Sequence, residues 1–435
     1  MSASQKYAHA WRSWPGLLGA GAALIALGAA GCKGETTERQ QPLACGKPQG
    51  SSTAVQTLAA AETAFGVALY SPATAAVGAS QNVIVSPYSV STTLTMVDVG
   101  AAGATAAQLQ SVLRLPDTAA NLAPAYAALT CEDQIDGSSG GNQLWIANSL
   151  WGQQGKAFQP TFLSVLSDGF GSPLQQVDFH GNPSAAAGAI NQWVSSETNG
   201  QIPALLQSGD LMSSTALVLV DAVYFRGVWD TGFDPKNTAN RSFTLSDGST
   251  VSVPTMSGTI NLGLGSGVGA IHGLSVYELP YKGGALVMDF FVPDGPLANF
   301  EASLTSDDVN GALASVGSPS QTNLDLPKFS FTTRLVLNPV LAGVGLTDAF
   351  DPSKADFSGI DGTRDLYVTA VVHEASIQVD ENGTVATAAI SATGGAFDIQ
   401  QPLDVVIDHP FLFLIRNTKN GSILFMGRVL DPRQG

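Results

Sequence analysis

Asp380-Glu381-Asn382-Gly383-Thr384-Val385-Ala386-Thr387-Ala388-Ala389-Ile390, continuing from Ser391 to Gln401, is the stretch whose reading decides the fold. It follows an apolar strand candidate, Leu366 to Val379, and from Gly383 to Phe397 it carries no proline, no charge and mostly small side chains. A flexible linker has such a composition. With period-2 phasing, however, Thr384, Ala386, Ala388, Ile390 and Ala392 share one face, and Val385, Thr387, Ala389 and Ser391 the other. The whole segment then fits inside a sheet without burying a charge. It reads as a loop able to become a strand.

The chain around it is that of a folded protein. Its 435 residues are 44% hydrophobic, enough for a large core. The net charge is −16, from 35 acidic and 19 basic residues, and no cluster of four or more Lys or Arg occurs. That balance argues against nucleic acid, polyanions and anionic membrane as partners.

At the amino terminus, Lys6 and Arg12 precede the apolar run Leu17 to Ala30, which is short for a membrane span and reads as a secretory signal. Ala29-Ala30-Gly31-Cys32 resembles a bacterial lipobox, with Ala29 where leucine is usual. The resemblance implies acylation of Cys32 after cleavage, with ordinary cleavage and release as the alternative. The expected division is a signal peptide at 1–31, a lipidated tether rich in Gln, Gly, Thr and Ser at 32–52, and a folded domain at 53–435. Cys45 and Cys131 then remain as an even pair in an exported chain, as a disulfide or as two separate thiols.

In the body, Ala54 to Tyr70 has apolar residues at helical spacing. Asn82-Val83-Ile84-Val85-Ser86-Pro87-Tyr88-Ser89-Val90 is a short buried strand running into a helix that Pro87 opens. Gly100 to Pro116 is rich in small residues and ends Leu113-Arg114-Leu115-Pro116. Asn142 to Trp151 reads as a strand buried on both faces, and Ala185 to Thr198 as a helix. Ala216 to Phe225 is continuously apolar except for Asp221, and Phe225-Arg226-Gly227-Val228-Trp229 follows it. Gly263 to Gly269 lacks dinucleotide-loop spacing and reads as a hairpin loop. The later blocks are Leu326 to Phe331, Val340 to Phe350, Ala355 to Ile360, His409 to Arg416 and Gly421 to Val429.

In order and spacing these blocks resemble the signatures of the serpins across roughly Ser51 to Pro432, and Glu381 to Ala389 resembles the hinge of the serpin reactive-centre loop. The resemblance implies an α+β fold, with three β-sheets, eight or nine helices and an exposed reactive-centre loop. It also implies a suicide-type serine protease inhibitor whose loop, once cut, traps the acyl-enzyme by inserting as a strand into the central sheet.

Carried over residue by residue, the hinge is Glu381, Gly383, Thr384, Ala386, Ala388 and Ala389. Counting from Glu381 by the family's usual spacing puts the reactive bond at Phe397-Asp398, with Ala396 and Ile399 as neighbouring alternatives. An aromatic bait suits the hydrophobic primary pocket of chymotrypsin-like or subtilisin-like proteases, with cysteine proteases as a further class. The polar cluster beneath the sheet, which serves as its shutter, corresponds to Ser86, Ser89, Asp221 and His373. Asp221 replaces the family's asparagine, and a buried carboxylate needs a partner, so Asp221 and His373 are expected to form a hydrogen-bonded ion pair. At the breach, where insertion begins, stand Trp229 and Lys328, with Lys328 expected to pair with Glu381. Val385 stands where Glu is frequent. Ile390 stands where threonine is usual on the inward face, so a bulkier group must find room there.

Enzyme readings find no apparatus. His373-Glu374 lacks a second histidine at metal-binding spacing, the five histidines are scattered, and no Gly-x-Ser-x-Gly elbow or phosphate loop occurs. No cofactor or metal is implied. Asp117 to Thr130 holds no basic residue, so no heparin-type activator is expected. The expected partner is a protease, met by a monomer that touches membrane only through a lipid anchor, on the bacterial outer membrane or cell surface, or secreted. The alternative is a non-inhibitory binding or carrier lipoprotein of the same fold. Charged, bulky or proline residues between Thr384 and Ala389 would favour it, and none is present.

Overall fold

In a computed structural model, the structure describes residues 53–267, 273–381 and 402–435. Cys32, Cys45, Gly383, Thr384, Ala386, Ala388, Ala389, Phe397 and Asp398 lie outside them.

The strands are β1 (Val83–Val85), β2 (Gln143–Gln153), β3 (Gln175–Val177), β4 (Leu217–Arg226), β5 (Ala239–Thr244), β6 (Thr250–Ser266) and β7 (Leu274–Pro280). They continue as β8 (Leu286–Pro293), β9 (Ser320–Pro327), β10 (Phe329–Val336), β11 (Val368–Val379), β12 (Leu403–Val406), β13 (Phe411–Asn417) and β14 (Ile423–Val429). A five-stranded sheet runs β10-β11-β4-β2-β3, and a nine-stranded one runs β1-β14-β13-β8-β7-β6-β9-β12, with β5 paired to β6. What the family resemblance counts as three sheets is two hydrogen-bonded systems here. The 17-residue β6 pairs with β9 and β5 along one half and with β7 along the other, and so belongs to both parts.

Ten α-helices occur among the described residues, the shortest of four residues. Those that matter below are α1 (Thr53–Val77), α2 (Pro87–Asp98), α3 (Gly103–Leu113) and α4 (Ala119–Gly137). α1 runs past the expected end at Tyr70 and through Pro72, with Ala73 still buried. α2 starts where the sequence suggests: Ser86 caps it by accepting from the Ser89 N–H at 3.2 Å, with Pro87 in the first turn. Every residue of α2 is buried, so it lies under the sheet and not at the surface.

β4 shows why the five-stranded sheet is apolar on both sides. Leu217, Leu219, Val223 and Phe225 join the main core, which includes α1, α2 and α4. Val218, Val220, Ala222 and Tyr224 pack with Ile190 and Val194 of the helix Pro183–Glu197 on the other face. Strand alternation therefore sends Asp221 toward α2. The same alternation in β11 groups His373 with Val371, Ala375 and Ile377, all on the α2 side.

Gly263 to Ser266 is not hairpin loop but the end of β6, paired from Gly263↔Glu278 to Ser266↔Ser275. A Cβ on Gly263 would meet Val316 at 2.8 Å, and one on Gly265 would meet Ser315 Oγ at 2.6 Å. The glycines are there to let the segment after the helix Ser306–Ala314 lie on the strand, a reason no local pattern reveals.

Candidate functional site

β4 and β11 are parallel neighbours, in register from Val368↔Leu217 to Ile377↔Phe225 with one irregularity between Val368 and Ala370. Their outer neighbours, β2 and β10, are antiparallel to them. The middle of the sheet is thus a parallel seam flanked by antiparallel pairs. Parallel pairing is slightly weaker per residue, so this seam is the less tightly paired line at the centre of the sheet.

At the middle of the seam Asp221 faces His373 across the strands, with Asn148 opposite Asp221 on β2. Asp221, His373, Ser86 and Ser89 are fully buried. His373 Nδ1 is 2.8 Å from Asp221 Oδ1, and the backbone N–H of Ser86 donates to His373 Nε2 at 3.2 Å. A ring nitrogen that accepts a hydrogen bond carries no proton, so Nδ1–H is the donor to Asp221 and the imidazole is neutral. The expected ion pair is therefore a neutral histidine donating to a carboxyl group, because the N-cap of α2 occupies the second ring nitrogen. The Ser89 hydroxyl has two acceptors, Asp221 Oδ1 at 2.7 Å and the Asn148 amide oxygen. Asp221 Oδ2 is buried with no partner. Sequence reasoning missed Asn148; an amide in the middle of an apolar strand was the available signal, but only the β2–β4 register puts it beside Asp221.

At the end of the seam β11 runs out at Val379, and the breach residues converge. Trp229 is buried, stacks on Tyr281 with ring centroids 4.4 Å apart, and donates from Nε1 to the Asp380 carbonyl at 3.1 Å. Phe225 meets the same Tyr281 edge-on. A Cβ on Gly227 would fall 2.0 Å from the Tyr281 ring, which accounts for the glycine inside Phe225-Arg226-Gly227-Val228-Trp229. Lys328 Nζ donates to Glu381 Oε2, and Thr238 Oγ1 donates to Oε1 at 2.6 Å. Thr238 and Tyr281 carried no signal in the sequence, since both reach the site from distant turns.

Burial pushes the Glu381 carboxyl up, but the hydrogen bonds from Lys328 and Thr238 outweigh it and hold it below the usual glutamate range. A depressed carboxyl stabilises the fold above its unfolded value and loses that contribution as pH falls through its folded value. Lys328→Met is therefore expected to cost about 1 kcal/mol at pH 7, Lys328 being partly exposed, and less below about pH 4. Urea unfolding at both pH values checks this; equal stabilities at pH 7 would show that the pair holds nothing.

Cys131, on α4, is disulfide-bonded, with its partner outside the described residues. Among the described residues no His, Cys, Asp and Glu cluster fits a metal ion, and no helix is long and apolar enough to cross a membrane.

The site is thus a buried polar cluster across a parallel seam, with a charged pair at the end of β11. In the family comparison, residues 60–432 match the model described as serpin (serine protease inhibitor). The chain belongs to the serpin family. It is 35% identical over 360 residues to the human leukocyte elastase inhibitor, covering 81% of this chain and 93% of that protein. It is also 35% identical over 364 residues to an uncharacterized serpin-like protein of Thermococcus kodakarensis, covering 82% of each. Among solved structures, native protease nexin-1 with heparin matches with TM-score 0.76 and 28% identity over 87% of this chain and all of that one. Uncleaved ovalbumin gives the same TM-score at 25% identity over 86% of this chain.

Proposed function

We propose that the protein is a suicide inhibitor of serine proteases, with Phe397 as bait and the β4–β11 seam as the acceptor for the cut loop. The observation that carries this reading is where the loop is rooted. Residues 382–402 leave from Glu381, at the end of β11, and rejoin at β12 in the other sheet. A segment folding back from Glu381 lies antiparallel to β11 and to its parallel partner β4 at once. Insertion there replaces one parallel seam with two antiparallel ones, and about fifteen residues at roughly 3.3 Å each make a strand near 50 Å.

The protease serine attacks the Phe397 carbonyl, the bond to the Asp398 nitrogen breaks, and that nitrogen leaves protonated while Phe397 stays esterified to the enzyme. Insertion carries the ester away before water hydrolyses it. The names of the elastase-inhibitor relatives support inhibition as the activity; the aromatic bait narrows it toward chymotrypsin-like or subtilisin-like targets. Cleavage at Cys32 with acylation would hold the inhibitor at a membrane surface through the 32–52 tether, and Cys45 is the proposed partner of Cys131.

Mixing the mature protein with chymotrypsin is expected to give a complex that survives a denaturing gel, together with a released fragment Asp398–Gly435 by intact mass. Cleavage at that bond with no complex would make the loop a mere substrate and sink the inhibitory reading for this target class.

A further inference from the structure

The helix that latches the seam is itself seated on buried acids. At its start, α2 reaches the seam through Ser86 and Ser89. Along its length it is bonded to α4: Tyr88 Oη donates to Thr130 Oγ1 at 2.7 Å, and Thr95 Oγ1 donates to Tyr126 Oη at 2.9 Å. Around these contacts lie three carboxyl groups that no basic side chain pairs with among the described residues. Glu62 of α1 is fully buried with neither oxygen partnered. Asp98, in the last turn of α2, is 5% exposed and also has neither oxygen partnered. Asp133 of α4 is fully buried; its Oδ1 accepts from Asn417 and Asn420, and its Oδ2 has no partner.

The groups facing them are neutral or acidic. Asp133, Tyr88 and Tyr126 are within electrostatic reach of Glu62, and Tyr126 is within reach of Asp98. Asp136 stands beside Asp133, and Glu132 shares Asn420 with it. Lys419, the cation at this edge, is bonded to Asp136. An ionised carboxylate in such surroundings has neither water nor a counter-charge. Burial accordingly pushes Asp98 up to about 7. Burial does the same to Asp133 despite its asparagine donors, bringing it to about 7. Glu62 is pushed well above the usual range, by burial first and by Asp133 second.

We propose that the α1–α2–α4 interface is a proton-operated seat: Glu62, Asp98 and Asp133 in protonated form hold α2 down and the seam closed, and their ionisation loosens α2 and lets the seam open. The seam half of this rests on the reading of β4–β11 as the insertion site. The sign follows from proton binding. Unfolded carboxyls titrate near 4, so between about pH 4 and 7 the folded protein holds more protons, and its stability falls as pH rises through that window.

The test compares the whole mature protein with Glu62→Gln/Asp133→Asn and, separately, with Asp98→Asn, whose amides keep the shape should the double variant fold poorly. The wild-type unfolding midpoint is expected to drop by about 5 °C or more from pH 5 to pH 8, the double variant by at most half as much, and Asp98→Asn by about a third less than wild type. Equal drops would overturn the seat. In the second arm, a synthetic peptide of residues 384–396 is offered to each protein. Wild type is expected to take it up about tenfold faster at pH 8 than at pH 5, and each variant with a smaller ratio, the double variant the smallest at about threefold or less. A pH-linked midpoint with pH-independent uptake would overturn the link from seat to seam. No uptake by any protein at any pH would overturn the insertion reading instead, leaving the unfolding comparison to decide the seat by itself.

Discussion

Thr384→Arg is expected to convert the inhibitor into a substrate, with the gel-stable complex reduced about a hundredfold while the loop is still cut at the same bond. Thr384 leads the inward face in the alternation Thr384, Ala386, Ala388, Ile390, Ala392. Insertion would place its side chain beneath the sheet, where the described neighbours of the seam are apolar apart from the Ser86, Ser89, Asp221 and His373 cluster at its middle. Burying an unpaired guanidinium costs several kcal/mol, and about 3 kcal/mol on the insertion barrier slows it about a hundredfold. Hydrolysis of the ester then wins. Val385→Arg, one residue on and facing outward, is expected to leave complex formation within about threefold of wild type. Titrating chymotrypsin with each variant measures the partition directly. Equal losses at both positions would mean that the loop does not insert with this phasing.

Asp221→Ala is expected to cost about 1–3 kcal/mol of stability, because it strands the buried Nδ1–H of His373 and leaves the Ser89 hydroxyl only Asn148 as an acceptor. Asp221→Asn keeps an acceptor oxygen in the same place and is expected to lie within about 1 kcal/mol of wild type. Denaturant unfolding of the three proteins decides it. The latch also holds the seam, so Asp221→Ala should lose inhibitory activity faster on standing at 37 °C, as molecules slip into an inserted form without being cut. An alanine variant as stable as wild type would show that the cluster is not a latch.

These expectations draw on residues that were legible to different degrees. The continuous apolar run of β4, its single Asp221, and the N-cap Ser86 before Pro87 are local patterns, and the structure has them where the sequence suggests. Lys328 and Glu381 lie far apart in sequence, and it was the family signatures, not any spacing, that brought them together; the structure shows them bonded. Three contacts were invisible. Asn148 joins the latch through strand register, Thr238 reaches Glu381 from a turn, and Tyr281 fills the space that Gly227 leaves. Gly263 and Gly265 read as turn residues because glycine marks turns locally, yet they serve a close approach by Ser315 and Val316.

The sequence by itself determined the family, the order of the elements and the uncharged run from Gly383 to Phe397. All of these rest on side-chain type and on periods of two or 3.6 residues, which are properties of a segment alone. The tertiary structure decided that His373 is neutral, because that depends on the Ser86 N–H pointing at its second nitrogen. It also decided that β6 fuses two sheets, that the central pair is parallel, and that Glu62, Asp98 and Asp133 are each buried with no basic partner among the described residues. Each of those is a fact of which backbone lies beside which. Pairing across hundreds of residues is set by the packing of the whole core, and no local window contains it.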